Sequence, residues 1–320
     1  MKPEIPAHWA YADSYAFMER VQNGMPPLMI CVACNGGVQG KETNEALPET
    51  PDEIADSVYG AYKAGASVVH VHARNPDNRT EAATTTEVWC EVNKKIRERC
   101  PDIVINNTTG GGLNSTMQDR LACLDARPEL ASLNLTPDMS RFKLKERKAP
   151  LPNPRGPIEF DDCIPFSYRL VNEFARQMKV RGIKPELEVF DLGMVNYARY
   201  MIDRGLLTPP YYFNILLGNV GTAQASLLPL AAMLGELPSQ SYFSLAGMGR
   251  FQAQAVALGA VLGHGIRTGL EDNLWRDAQR TRLARNADLV QTALGIASAL
   301  GRPVATAAQT RAWLALEPRA

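Results

Sequence analysis

The sequence predicts a (β/α)8 TIM barrel, and three observations carry that expectation. Eight short apolar runs alternate with amphipathic stretches, each run is followed by Gly, Asn, Thr or Asp, and 320 residues suit one large barrel. A doubly wound open sheet shares the alternation. The count of eight strands with eight helices is what favours the closed form.

The runs are PLMICVAC (27–34), SVVHVHA (67–73), DIVINNT (102–108), LASLNLT (130–136), ELEVFDLG (186–193), YYFNILLG (211–218), SYFSLAG (241–247) and GIRTGLE (265–271). Most are rich in β-branched or aromatic residues, as buried parallel strands are. Thr50-Pro51-Asp52-Glu53 supplies an N-cap, a Pro at the first helical position and a capping-box Glu for PDEIADSVYGAYKA, with Gly65 as its stop. Seven further helices are expected in TTEVWCEVNKKIRERC, STMQDRLACLDA, FSYRLVNEFARQMKV, MVNYARYMIDRG, AQASLLPLAAML, FQAQAVALGAVLG and NADLVQTALGIASALG. The organisation expected is a single barrel domain over 1–320, with an N-terminal arm at 1–26 and a C-terminal helical extension. Residues 137–163, Pro-rich and charged, are too long for a bare connector. They form an active-site flap, an oligomer arm or a surface excursion without chemistry.

Composition narrows the partners. The 34 basic and 34 acidic residues cancel, so no global charge favours nucleic acid or an anionic membrane. No apolar run is long enough for a membrane span or a secretory core, which points to the cytoplasm. The six cysteines need no disulfides in a chain that can build its own core. Cys31 and Cys34 form a CxxC, but within an apolar run and without a second pair, so core packing is expected.

The strongest local signal is His70-Val71-His72. Alternate residues of a strand share a face, so both imidazoles can reach one ion, and only His8 and His264 exist besides. A hydrogen-bonded pair of barrel histidines is the competing reading. After the eighth run, Glu271 can cross the barrel mouth to complete two imidazoles and one carboxylate with an open position, leaving Asp272 for proton transfer. Carboxylates at strand ends also serve as helix N-caps. Asn107-Thr108-Thr109-Gly110-Gly111-Gly112 offers either donors for a carboxylate or phosphate, or a turn with only a conformational role. Gly247-Met248-Gly249-Arg250 lacks a dinucleotide fingerprint, and Arg250 and Arg267 are candidate anion contacts at the same mouth. Glu186, Glu188 and Phe190 share a strand face, where an acid needs a task or a cation.

Taken in order, TPDEIADSVYGAYKAGASVVHVHAR, TTGG, PELASLN, PELEVFDLGMV, AGMGRFQ and GIRTGLEDN resemble the β-keto acid cleavage enzymes, which include the 3-keto-5-aminohexanoate cleavage enzymes. The resemblance runs over nearly the whole chain. It implies zinc on His70, His72 and Glu271, and a reaction turning a β-keto acid and acetyl-CoA into acetoacetate and a new acyl-CoA. It implies substrate contacts at Thr108, Gly111 and Ser132, with Asn134 near them. Asp272, supported by Arg267 at some loss of basicity, is implied as general base, with Glu188 a further polar group. A homo-oligomer, dimer or tetramer, is implied as well.

Two departures stand out. Members taking an aminated keto acid carry an acid just after strand 1, where this chain has Val38. An apolar side chain cannot offset a buried ammonium, so the 5-amino substrate is not expected to be preferred; aliphatic, dicarboxylic and aromatic chains stay open. After strand 4 the chain reads Thr136-Pro137 rather than Gly-Ser or Gly-Thr, which weakens the assignment around Ser132. Among rival activities, an amidohydrolase needs histidines on strands 5 and 6, and none is there. A class II aldolase-like lyase would work without CoA. A non-enzymatic barrel with structural zinc would show a closed four-ligand site.

Overall fold

The computed structural model describes residues 13–111 and 115–317; Gly112, His8 and the first twelve residues of the expected arm lie outside the described residues. The strands run β1 (Met29–Ala33), β2 (Val68–Val71), β3 (Val104–Asn107), β4 (Leu130–Asn134), β5 (Asp138–Leu144) and β6 (Ile158–Ile164). They continue as β7 (Lys184–Val189), β8 (Tyr211–Leu217), β9 (Ser241–Gly247) and β10 (Gly265–Thr268). All but β5 and β6 form one closed parallel barrel in the order β1-β10-β9-β8-β7-β4-β3-β2. Closure is direct: β1 pairs with β2 on one side and with β10 on the other. The expected barrel is therefore the observed one, and each of the eight runs holds one of its strands.

The helices are α1 (Ser14–Gln22), α2 (Pro51–Lys63), α3 (Thr86–Arg99), α4 (Met117–Asp125) and α5 (Tyr168–Val180), then α6 (Leu192–Asp203), α7 (Leu227–Glu236), α8 (Gln252–Leu262), α9 (Asn286–Ala299) and α10 (Ala307–Leu314). At α2 the capping box forms as its sequence requires: Glu53 N donates to Thr50 Oγ1 at 3.3 Å, and Thr50 N to Glu53 Oε2 at 3.2 Å. Gly65 sits one residue beyond the C-cap Ala64 at φ +111, a conformation open to glycine. Ile54, Ala55, Val58 and Ala61 line the buried face of α2 at helical spacing. Each fully buried Ile or Val there contributes roughly 1.5–3 kcal/mol. No helix among the described residues is long and apolar enough to cross a membrane.

Strand alternation divides the core. Ile30, Val32, Val69, Val71, Ile105, Leu187 and Val189 point outward into the layer beneath the helices. Met29, Cys31, Val68, Val104, Leu130, Tyr212 and Tyr242 fill the lower interior, closed from below by Leu314 of α10. One step up each strand, the inward positions turn polar: His70, Asn106, Ser132, Glu186, Asn214 and Arg267 are all buried. Cys31 and Cys34 are free and buried in these layers, and burial pushes both thiols up, as core packing implies.

The 137–163 excursion contains a two-stranded antiparallel hairpin, β5 on β6, with Phe142 and Phe160 stacked 4.8 Å apart. Its tip folds back onto the loops after β1 and β2. Asn153 Nδ2 donates to Asp77 O at 2.8 Å, and Asn153 Oδ1 accepts from Arg79 N at 3.0 Å. Arg147, with a fully buried side chain, pairs with Glu42 at 2.7 Å and grips Glu49 through two contacts of 2.8 Å. Hence the excursion bridges part of the barrel rim, from the end of β4 to the loop that follows β1.

Candidate active site

Period two on β2 sends Val68, His70 and His72 inward, and the two imidazole Nε2 atoms meet 3.3 Å apart. Glu271 arrives from the loop after β10. That loop must press against β1, and Gly269 lets it: a Cβ there would stand 2.1 Å from Ala33 O. Glu271 N then donates to Ala33 O at 3.2 Å, and its carboxylate reaches past β1 to β2. Glu271 Oε1 lies 3.3 Å from His72 Nε2, and Oε2 lies 3.6 Å from His70 Nε2.

These spacings test whether an ion fits. Donors at about 2.0–2.1 Å from a tetrahedral ion are separated from one another by about 3.3–3.4 Å. The two imidazoles match that edge, each lies 3.3–3.6 Å from a different oxygen of the Glu271 carboxylate, and Glu271 Oε2 is buried without a hydrogen bond. Their protonation states agree. Burial drives the His70 imidazole well below its usual range, so it is neutral, as a ligand must be. Burial opposes ionisation of Glu271, but neighbouring positive charge, Arg267 foremost, outweighs it and holds the carboxyl well below the usual range. A second donor group, His70 with Glu186 and Glu188, is less suited. Burial lifts Glu186 to about 7 and Glu188 to about 8, and protonated carboxyls are poor ligands. The residues fit a divalent metal at His70, His72 and Glu271.

Arg267, from the inward face of β10, joins the carboxylates. It contacts Asp272 through Nε at 3.0 Å and Nη2 at 2.8 Å, Glu271 through Nη2 at 2.8 Å, and Glu188 through Nη1 at 3.1 Å. Asp272 is fully buried. The expected loss of basicity is reversed on balance: burial raises the Asp272 carboxyl more than Arg267 lowers it. Glu188 gains the cationic partner that its inward position called for.

The remaining candidates lie on the β3 and β4 ends. Ser132 Oγ donates to Thr108 Oγ1 at 3.4 Å, and Gly110 N to Thr108 Oγ1 at 2.9 Å. Gly111 turns at φ +61. A Cβ on Gly37 would lie 3.0 Å from His72 Nδ1 and 3.6 Å from Gly111 O, so the Gly111 turn adjoins the His72 ring through Gly37. Asn134 pairs in register with Glu188, and its buried Oδ1 has no hydrogen bond. Val38 is 41% exposed, with no acid in its place. Arg250 does not join the cluster. His264 sits lower, where its Nδ1 accepts from Phe243 N at 3.1 Å.

Several supporting residues join the site, of which the sequence reading notes only Glu186. Asn35 brackets His72, donating to its carbonyl at 2.8 Å and accepting from its N–H at 3.0 Å. Buried Arg74 donates to the carbonyls of Gly36, Gly37 and Gln39 and so holds the loop over the ligands. Glu186 accepts from Asn106 at 2.6 Å and faces His70 Nδ1 at 3.7 Å. Of these, only Glu186 had a usable signal, since it shares a strand face with Glu188.

Comparison with known proteins places the chain in a family. The family model for beta-keto acid cleavage enzymes matches residues 27–316. The 3-keto-5-aminohexanoate cleavage enzyme of Fusobacterium nucleatum is 34% identical over 296 residues, covering 92% of this chain and 99% of its own. The 3-oxoadipate:acetyl-CoA acetyltransferase of Cupriavidus necator is 32% identical over 294 residues, covering 91% and 95%. Among solved structures, apo ObcA matches with a TM-score of 0.65 at 22% identity, over 85% of this chain and 66% of its own, which speaks to the fold alone. The chain belongs to the beta-keto acid cleavage enzyme family.

Proposed function

We propose that this chain is a zinc-dependent enzyme exchanging acyl groups between a β-keto acid and acetyl-CoA, R–CO–CH2–COO⁻ + CH3–CO–SCoA giving CH3–CO–CH2–COO⁻ + R–CO–SCoA. One observation carries the reading: His70, His72 and Glu271 offer ligand atoms within 4.8 Å of one another, next to a buried Arg267–Asp272 pair at the barrel mouth. A divalent ion bound there supplies Lewis acidity to a carbonyl oxygen, which acidifies the adjacent carbon.

The chain's own groups do the rest. Thr108, Ser132 and the turn at Gly111 are the proposed cradle for the substrate carboxylate, with the unpartnered Asn134 Oδ1 beside them. Asp272 is the proposed base for the proton on the carbon between ketone and carboxylate. Arg267 orients both of its oxygens while burial keeps its affinity for a proton up. Glu188, on the same guanidinium, completes the polar wall. Val38 supports a neutral or acidic acyl chain over an aminated one.

The test is a panel of β-keto acids incubated with acetyl-CoA, following acetoacetate, beside elemental analysis of the purified protein. Turnover that requires both co-substrates and tracks bound zinc is expected. Cleavage of the keto acid without acetyl-CoA, or turnover unaffected by chelators, sinks the reading.

A further inference from the structure

Outside the metal cluster, a second cleft opens between the β9–α8 connection and the loop after β10. Its lining includes Gly249, Arg250, Thr268, Asn273, Asp277 and Arg280. Three features distinguish it from an ordinary surface dent. First, the Arg250 and Arg280 side chains make no hydrogen bond or ion pair with other described residues, although both line one concave surface. Asp277, the nearby acid, does not neutralise them. Its carboxylate accepts from Thr281 N at 3.1 Å and Arg282 N at 2.8 Å, and faces Arg282 Nε at 3.7 Å.

Second, the backbone accommodates the guanidinium. Gly249 adopts φ +56, and a Cβ on it would stand 3.0 Å from Arg280 Nη2. Third, the cleft is joined to the candidate active site. Gly249 N donates to Asp272 O at 2.7 Å, and Thr268 follows Arg267 directly. The loops after the seventh and eighth strands of a barrel are a recurrent place for phosphate.

We infer that this cleft binds the phosphates of the CoA thioester on Arg250 and Arg280, so that the thioester end enters the barrel mouth from the β9–β10 side. The inference rests on the acetyl-CoA reading above. Guanidinium pairs suit phosphate because their N–H groups match its oxygens and stay charged. Free pyrophosphate offers the same chemistry without the pantetheine arm, so the test separates the two.

The experiment titrates metal-loaded protein with CoA, pantetheine and inorganic pyrophosphate by calorimetry, using wild type, Arg250→Gln, Arg280→Asn and the double variant. Asn is chosen because Arg280 sits at φ +60, a conformation it tolerates. Circular dichroism and zinc content show that each variant is folded and loaded. Each substitution is expected to weaken CoA about tenfold while leaving pantetheine unchanged. CoA binding undiminished in the double variant overturns the inference while the acetyl-CoA reading stands. Loss of pyrophosphate binding alone, with CoA unaffected, makes this a free-anion site and overturns it too. Wild type that binds no CoA overturns both readings together.

Discussion

Gly36 offers a sharp test of the metal centre because its substitution strains one ligand and little else. Its φ is +64, and a Cβ would fall 2.7 Å from Glu271 Cγ and 3.2 Å from Glu271 Cβ. Ordinary carbon contacts need about 3.5–4.0 Å, so Gly36→Ala must push the Glu271 side chain by about 1 Å. Glu271 N is tied to Ala33 O, so the backbone cannot follow freely and the carboxylate swings away from His70 and His72. Disturbing what orients a ligand typically lowers metal affinity about 10- to 100-fold. The left-handed backbone adds about 1–2 kcal/mol of destabilisation for a residue with a Cβ. Gly205→Ala isolates that second effect: φ there is +67, with nothing within 4 Å of the added Cβ. Chelator competition and denaturant unfolding of the metal-free proteins measure the two effects. Both variants should lose similar stability, and only Gly36→Ala should lose zinc affinity. Equal zinc affinity in the two variants refutes the placement of the ion beside Glu271.

Asp272→Asn is expected to retain zinc while kcat falls about 10²- to 10⁴-fold, because the variant keeps the proposed ligands and loses the proposed base; elemental analysis with steady-state kinetics checks both halves. Arg147→Ala leaves Glu49 buried without its guanidinium partner, while Glu42 keeps Arg155 at 2.7 Å, and should cost about 3–5 kcal/mol in denaturant unfolding at pH 7. Burial opposes ionisation of Glu49, but Arg147, the Lys41 N–H and Arg74 together outweigh it and the folded carboxyl lies below its usual range. Its stabilisation is thus full above the unfolded pKa and is lost as pH falls through the lower folded value, so the gap between wild type and variant should narrow on acidification through that window. A gap constant from pH 7 to pH 3 contradicts that pairing. Val38→Glu should raise kcat/KM for an aminated β-keto acid relative to a neutral one, read by competing the two substrates; an unchanged ratio places the ammonium elsewhere.

Much of this molecule was legible in its residues because local rules govern those features. Period two at His70 and His72 put both rings on one face, the capping box at Thr50 and Glu53 started α2, and the apolar runs located every barrel strand. The family resemblance went further, since the order of motifs implied the substrate contacts at Thr108, Gly111 and Ser132 and the reaction, where the residues alone had offered Glu271 and Asp272. Tertiary structure alone decided the rest. Only closure brings β10 and β2 to either side of β1, so only the fold sets the Glu271 carboxylate within 3.3 and 3.6 Å of two histidines about 200 residues away in sequence. Arg267 meeting three carboxylates, Arg147 anchoring the hairpin tip, and burial outweighing Arg267 at Asp272 all depend on which groups exclude water from one another. Desolvation is a property of the packed neighbourhood, and no spacing along the chain encodes it locally.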